Sequence, residues 1–138
     1  MEFDIRYESE GKVPIDKVVD LYASLGWSSA QKPQELEAAL QHSHSVITAW
    51  HGERLAGLGN AISDGHLVVY YPHLLVHPDY QRRGIGSEIM RRMRERYKDF
   101  HQQILVADPK SIAFFEECGF KSAGECRPLW IYEGDDHG

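Results

Sequence analysis

The segment Leu74-Leu75-Val76-His77-Pro78-Asp79-Tyr80-Gln81-Arg82-Arg83-Gly84-Ile85-Gly86-Ser87 sets an apolar strand-like run, a turn and two glycines directly before a helical pattern. Glycine lets a backbone approach a ligand closely. The first N–H groups of a helix have no intrahelical partner. With the helix dipole they form an anion site suited to a pyrophosphate. Three nucleotide-binding patterns compete for this loop. A G-x-x-x-x-G-K-[ST] loop fails because Gly86 is followed by Ser87 and Glu88, with no lysine. A dinucleotide fingerprint fails because its third glycine would fall on Ile89. The pattern Q/R-x-x-G-x-G/A remains, and Gln81-Arg82-Arg83-Gly84-Ile85-Gly86 satisfies it. The stretch from Gln81 to Lys98 carries Arg82, Arg83, Arg91, Arg92, Arg94, Arg96 and Lys98 against Glu88 and Glu95, in a chain of formal net charge −6. An anionic ligand accounts for Arg82 and Arg83. A solvated helix face accounts for the later arginines.

Proton chemistry has fewer candidates. Tyr70-Tyr71-Pro72-His73-Leu74 holds one residue that titrates near neutrality, His73, which suits it for shuttling a proton. The other reading is a strand histidine that is simply hydrogen-bonded, and the two stand side by side. Pro72 within a strand implies an edge or a bulge. Asp64 is a second candidate base, or an ordinary turn residue. The eight histidines are scattered, with no H-x-x-x-H pair on a predicted helix. The two cysteines, Cys118 and Cys126, lack zinc-type spacing, so no metal is expected.

The elements that must position these residues follow from periodicity and turn signals. Phe3 to Glu8 alternates as a strand. Pro14 starts a helix with Val18, Leu21, Tyr22 and Leu25 on one face, stopped by Gly26. Pro33 starts a second helix, with Leu36, Ala39 and Leu40 apolar. Ser45 to Trp50 and Leu55 to Ile62 form a hairpin about Gly52-Glu53, and a long strand runs from Leu67 to Val76. A helix from Ile85 to Lys98 repeats Ile85, Ile89, Met93 and Tyr97 every four residues. A short strand, Gln103 to Ala107, precedes a helix from Pro109 through Cys118. Phe120 to Gly124 and Pro128 to Tyr132 read as final strands, and a polar tail, Glu133 to Gly138, is expected to fray. The order is β-α-α-β-β-β-α-β-α-β-β. It describes one mixed α/β domain over residues 1–138, antiparallel in its first half with a strand-helix-strand crossover in its second.

Here the sequence resembles the GNAT N-acetyltransferase superfamily, small single-domain bacterial type, over nearly its whole length. Leu75-Val76-His77-Pro78-x-Tyr80-Gln81-x-x-Gly84-Ile85-Gly86 looks like the family's acetyl-CoA motif. Ala113-Phe114-Phe115-Glu116-Glu117-Cys118-Gly119-Phe120 resembles its later F-Y-x-x-x-G-F motif. Leu21 to Trp27 and Leu55 to Gly59 are similar to the N-terminal half of small members. The resemblance implies the acyl-CoA N-acyltransferase fold and acetyl transfer from acetyl-CoA to an amine. Backbone N–H groups of Arg82, Arg83, Gly84, Gly86 and Ser87, in the motif that Gln81 opens, would hold the pyrophosphate. Leu75 and Val76 would pair with the pantetheine as an added strand does, and Phe114 belongs to the cofactor-side motif. The Val76 N–H would steady the oxyanion. His73 stands where members carry their base. Tyr22, Trp27 and Tyr70 would wall the acceptor pocket, with Trp130 and Tyr132 as further candidates. Asp108 replaces a common Asn, and Phe115 replaces the tyrosine often given the role of general acid. A coenzyme A thiol titrates near ~8.5, so its thiolate leaves tolerably without an acid.

Composition bounds the rest. The chain has 138 residues, 42% of them hydrophobic, enough for one core. Its acidic balance suits a cationic acceptor and argues against nucleic acid, including aminoacyl-tRNA. No apolar run is long enough to span a bilayer, and no signal peptide is seen, so a cytoplasmic protein without membrane association is expected. A small-molecule amine is the expected acceptor. Acetylation of a protein lysine or N-terminus and a non-catalytic acyl-CoA-binding module are the alternatives. The C-terminal aromatics suggest a homodimer.

Overall fold

The computed structural model describes residues 4–134. Phe3, where the first strand was expected to start, and the tail beyond Gly134 lie outside the described residues. Arg6–Glu8 forms β1, Ile15–Ser24 forms α1 and Pro33–Gln41 forms α2. Ser45–His51 (β2) and Arg54–Ser63 (β3) are the expected hairpin. A 3-10 turn, Ser28–Gln31, links α1 to α2 and carries no periodicity that would mark it in the sequence. Val68–Tyr71 is β4, Leu74–Val76 is β5, Ile85–Arg96 is α3, Gln102–Leu105 is β6 and Ile112–Glu117 is α4. The last helix begins one turn later than expected, because the Asp108 carboxylate accepts the N–H groups of Lys110 and Ser111 and holds a turn there.

One mixed sheet runs β1-β2-β3-β4-β6, with β5 attached to β3 beyond the end of β4. All pairs are antiparallel except β4 with β6. The strand expected from Leu67 to Val76 is therefore two strands. Ile62 stands opposite Tyr70, but Gly59 stands opposite Leu74, so β3 advances three residues while the facing chain advances four. The extra residue is a bulge at Pro72-His73. Proline has no N–H to lose from the ladder, which makes it the natural residue for this place.

Helices cover both faces. Val18, Leu21, Tyr22, Leu36 and Leu40 of α1 and α2 pack with Trp50, Leu55, Leu58 and Leu75. On the other face Ile85, Ile89, Met90, Met93 and Tyr97 pack against Ile47, Ala49, Ala56, Ala61, Val69 and Tyr71. The expected four-residue stripe of α3 is thus the buried one, each member at most 1% exposed. It lies close on β3 because two strand positions lack side chains. A Cβ at Gly57 would stand 2.9 Å from Ile85 Cγ2, and one at Gly59 2.8 Å from Ile89 Cγ2.

The two final strands are not formed. Phe120 still packs against the rings of Tyr71 and Phe115, but every residue from 121 to 134 is exposed. Strand propensity needs a ladder and a packed face, and beyond Phe120 this segment meets neither. Among the described residues no helix is long and apolar enough to cross a membrane.

Gly57→Val should force α3 off the sheet and lower stability by about 1–3 kcal/mol, the usual cost of overpacking. The urea midpoint of unfolding reads this directly. An unchanged midpoint would mean that α3 does not rest on Gly57.

Candidate active site

The bulge decides what the cleft offers. In an antiparallel pair alternate residues exchange hydrogen bonds with the partner strand. On the β5 side the bonded positions are the odd ones: His77 donates to Ala56 O at 2.8 Å, and His73 O accepts from Asn60 N at 3.2 Å. Leu75, opposite Leu58, shares that phase. The N–H and C=O groups of Leu74 and Val76 therefore point away from β3. On that side β6 has ended at Leu105, and among the described residues no strand covers β5. Leu75 itself is 1% exposed, with its side chain in the α1 core. The groups available for pairing with an extended ligand belong to Leu74 and Val76.

The gap is a cleft of about 660 Å³, within the usual size for a ligand site. Leu74, Val76, Arg82, Gly84, Gly86, Ser87, Asp108, Lys110, Phe114 and Phe115 line it, as do Leu25, Trp27, Tyr71 and Pro72. The α3 N-terminus closes its base. Gly84 caps the helix at φ 81°, a left-handed conformation that favours glycine, and Arg82 at φ 64° shapes the same loop. The first intrahelical bond runs from Glu88 N–H to Gly84 O at 3.0 Å, so the amides of Ile85, Gly86 and Ser87 precede the ladder. The Gln81 side chain donates to Val76 O at 3.0 Å, tying the loop to the strand end instead of reaching for a ligand. Phe114 packs under Gly86, where a Cβ would come within 3.1 Å of its ring. Phe115 lines the cleft edge-to-face against Phe114 and Phe120.

Three of the later arginines are accounted for within the fold. Arg91 and Arg92 both bind Glu88 at 2.7 Å, and Arg94 donates to Cys118 O at 2.6 Å. Arg82 is the arginine that lines the cleft. A second groove of about 730 Å³ lies between residues 9–14 and α2, but Glu8, Glu10 and Glu37 face it, which disfavours a polyanion there.

His73 sits one layer behind the cleft, between Pro72 and Leu74. The bulge has turned its ring to the α1 side, where its Nδ1 is hydrogen-bonded to Tyr22 Oη at 2.8 Å. The Trp27 ring packs against it, centroids 5.2 Å apart. Burial pulls the His73 pKa from 6.5 down to about 4, so the ring is neutral at physiological pH. The same burial pushes the Tyr22 phenol upward. Tyr22 is fully buried, and of the expected acceptor-wall residues Trp27 alone lines the cleft. Tyr70 faces outward beside Ile62 and Ile104, away from the site. Asp64 spends its carboxylate on the N–H groups of His66, Leu67 and Val68, an ordinary turn role.

Sequence reasoning passed over Asn60. It is 3% exposed, and its side chain accepts the His73 N–H at 3.1 Å and donates to Ser43 Oγ at 3.1 Å. It thus clamps the bulge from across the ladder. The available signal was an asparagine inside an otherwise apolar strand, where its β propensity is poor.

Residues 15–120 match the Acetyltransferase (GNAT) family. The solved structure of the GNAT family acetyltransferase SP0256 from Streptococcus pneumoniae superposes with a TM-score of 0.83 at 31% identity, covering 95% of this chain and all of that one. An uncharacterized N-acetyltransferase ycf52 of Porphyra purpurea is 26% identical over 124 residues, covering 85% of this chain and 70% of its own. A histone acetyltransferase TAP1 of Glycine max is 28% identical over 135 residues, covering 88% of this chain and 58% of its own.

The low His73 pKa sets a stability slope. Above pH 6.5 the ring is neutral folded and unfolded, and contributes no pH dependence. As pH falls from 6.5 to about 4, the unfolded chain takes up a proton that folded His73 refuses. Folded stability should drop over that window by roughly 3 kcal/mol at most. His73→Gln should flatten this part of the curve. An unaltered slope in denaturant titrations across that window would place the titrating group elsewhere.

Proposed function

The chain belongs to the GNAT family of acetyltransferases, and we propose that it moves the acetyl group of acetyl-CoA onto a primary amine of a small molecule, by direct attack in a ternary complex. The observation that carries this reading is one cleft holding both a helix N-terminus and the outward-facing Val76 N–H. The residues fit the co-substrate. Gly84, Gly86 and Ser87 lay amides and the α3 dipole toward a pyrophosphate. Leu74 and Val76 offer main-chain groups to the pantetheine amides, and Phe114 and Val76 give an apolar wall. Arg82 and Lys110 add positive charge to the same cleft.

The amine nitrogen attacks the acetyl carbon, the C–N bond forms and the C–S bond breaks. The Val76 N–H faces the carbonyl oxygen as its charge develops, a contact worth about 10²–10³ in rate for a preorganised donor. The sulfur leaves as thiolate, whose ordinary pKa near ~8.5 asks for no acid where Phe115 stands. The amine attacks in its neutral form, having given its ammonium proton to hydroxide or buffer in solution, and the second proton, now on a nitrogen made strongly acidic by acylation, passes to water or to the departing thiolate. His73 is too weak a base at neutral pH to take the first from an ammonium of pKa ~10.4. Its role is positioning: with Tyr22 it fixes the ring of Trp27 at the acceptor end. The acidic balance of the chain, −6 overall, favours a cationic acceptor. A protein lysine is the second reading, favoured by the relative named a histone acetyltransferase.

Calorimetry with acetyl-CoA should show binding by the native chain. A carboxylate at the pyrophosphate seat, as in Gly86→Glu, should weaken it at least about tenfold, the weight of one charge-assisted contact. Absence of binding by the native chain would remove the reading altogether. With an amine acceptor in hand, kcat/KM should rise with pH without an inflection near 6.5. His73→Gln should lose less than about tenfold in kcat, short of what a missing general base costs. A hundredfold loss at constant KM would instead make His73 the base.

A further inference from the structure

The loop that would seat the pyrophosphate is strained. Among the described residues Arg82, at φ 64°, is the one non-glycine residue in the left-handed region. A residue with a Cβ avoids that region, because the Cβ crowds the following carbonyl oxygen. Gly84 follows at φ 81°, a conformation that glycine adopts freely. Strained backbone of this kind persists only where its surroundings fix it. Downstream, α3 does so from Ile85 onward. Upstream there is no ladder to do it: Pro78–Tyr80 is a single 3-10 turn, and Gln81 is extended.

Residues outside the cleft hold this turn. Tyr80 is buried, and its Oη lies 2.6 Å from Nδ1 of His51, the last residue of β2. The two rings meet edge to face, centroids 5.3 Å apart. Arg54, the first residue of β3, reaches the turn from the other side of the hairpin. Its guanidinium lies 5.6 Å from the centroid of the Tyr80 ring and pairs with Asp79 Oδ2 at 3.2 Å. Neither His51 nor Arg54 lines the cleft. The two contacts differ in weight. The Arg54 and Asp79 side chains are 51% and 63% exposed, and ion pairs in water contribute little. The Tyr80 hydroxyl is buried, and a buried phenol deprived of its partner is costly. Gln81 adds its own tie to Val76 O, within the motif. The His51–Tyr80 pair is the buried side-chain contact that fastens the turn to the hairpin.

We propose that His51, acting through Tyr80, is a positioning residue for acetyl-CoA: it fixes the turn so that the strained Arg82-Arg83-Gly84 loop presents its amides to the pyrophosphate. The inference rests on the reading of the cleft as an acetyl-CoA site. A bond that merely filled the core would support every part of the ligand alike. A bond that sets this loop supports the phosphates, and leaves the pantetheine arm, received by Leu74 and Val76, as it was. The hairpin tip thereby tunes affinity for the co-substrate from outside the site.

Two probes separate these roles: acetyl-CoA by calorimetry, and S-acetylpantetheine, which has the acetyl and pantetheine groups but no phosphate, by NMR titration. His51→Phe and Tyr80→Phe should each raise the acetyl-CoA dissociation constant about fivefold to tenfold, the weight of one hydrogen bond. Combined, they should raise it no further than the larger single change, because both remove the same bond. At equal concentrations S-acetylpantetheine should shift the Leu74 and Val76 amides equally in the native chain and in His51→Phe. Both substitutions keep a ring in place, and circular dichroism verifies the fold. Should His51→Phe unfold, Tyr80→Phe, which removes a single oxygen, carries both titrations. Unchanged acetyl-CoA affinity in the variants overturns the proposal, as do additive losses or an equal loss for S-acetylpantetheine. The native titration keeps the two readings apart. No acetyl-CoA binding there removes both, whereas native binding with unchanged variants removes the positioning role alone.

Discussion

Everything at the site depends on a single inserted residue. Had β4 and β5 run on as one regular strand, His73 would share the face of Tyr71 and point at α3. The residue pair Pro72-His73 slips the register against β3 by one. That slip turns His73 to the α1 side, and sets the groups of Leu74 and Val76 facing away from β3. Because β6 stops at Leu105, those groups meet a cleft instead of a neighbouring strand. Asn60 holds the bulge in place through the His73 N–H, so a buried polar side chain replaces the ladder bond that the bulge removes.

The cleft joins two kinds of surface. Helix amides, Arg82 and Lys110 suit the phosphates of a nucleotide, with Asp108 among them. Leu25, Trp27, Tyr71 and Pro72 add apolar and aromatic surface, with a neutral histidine behind Pro72 and Leu74. An amine seated there is desolvated by apolar and aromatic surface, which favours its neutral, nucleophilic form. In the proposed reaction the electrostatic work falls to backbone N–H groups. No acid is then asked of Phe115.

Much of this was legible in the sequence. The stripe Ile85, Ile89, Met93, Tyr97 and the loop Gln81 to Gly86 gave the helix and its anion-binding end, because both are local patterns. Pro72 announced a bulge or an edge, but which of the two depends on the register with β3, a non-local fact. Tyr22 shows the same limit. A helical stripe predicts that it is buried, but its bond to His73 joins residues far apart in the chain. The final strands expected at Phe120 to Gly124 and Pro128 to Tyr132 do not form, because alternation reports the propensity to pair, while the ladder partner must be supplied by the fold. Asn60 left a faint signal, and only its contact with His73 gives it meaning.

Amide hydrogen exchange with acetyl-CoA bound tests the orientation of the Val76 N–H most directly. In the free chain Leu75, bonded to β3, should exchange slowly and Val76 fast. On adding acetyl-CoA the Val76 amide should become protected while Leu75 stays as it was. Protection of Val76 in the free chain, or no change in it at saturation, would mean that this amide does not face the acetyl group.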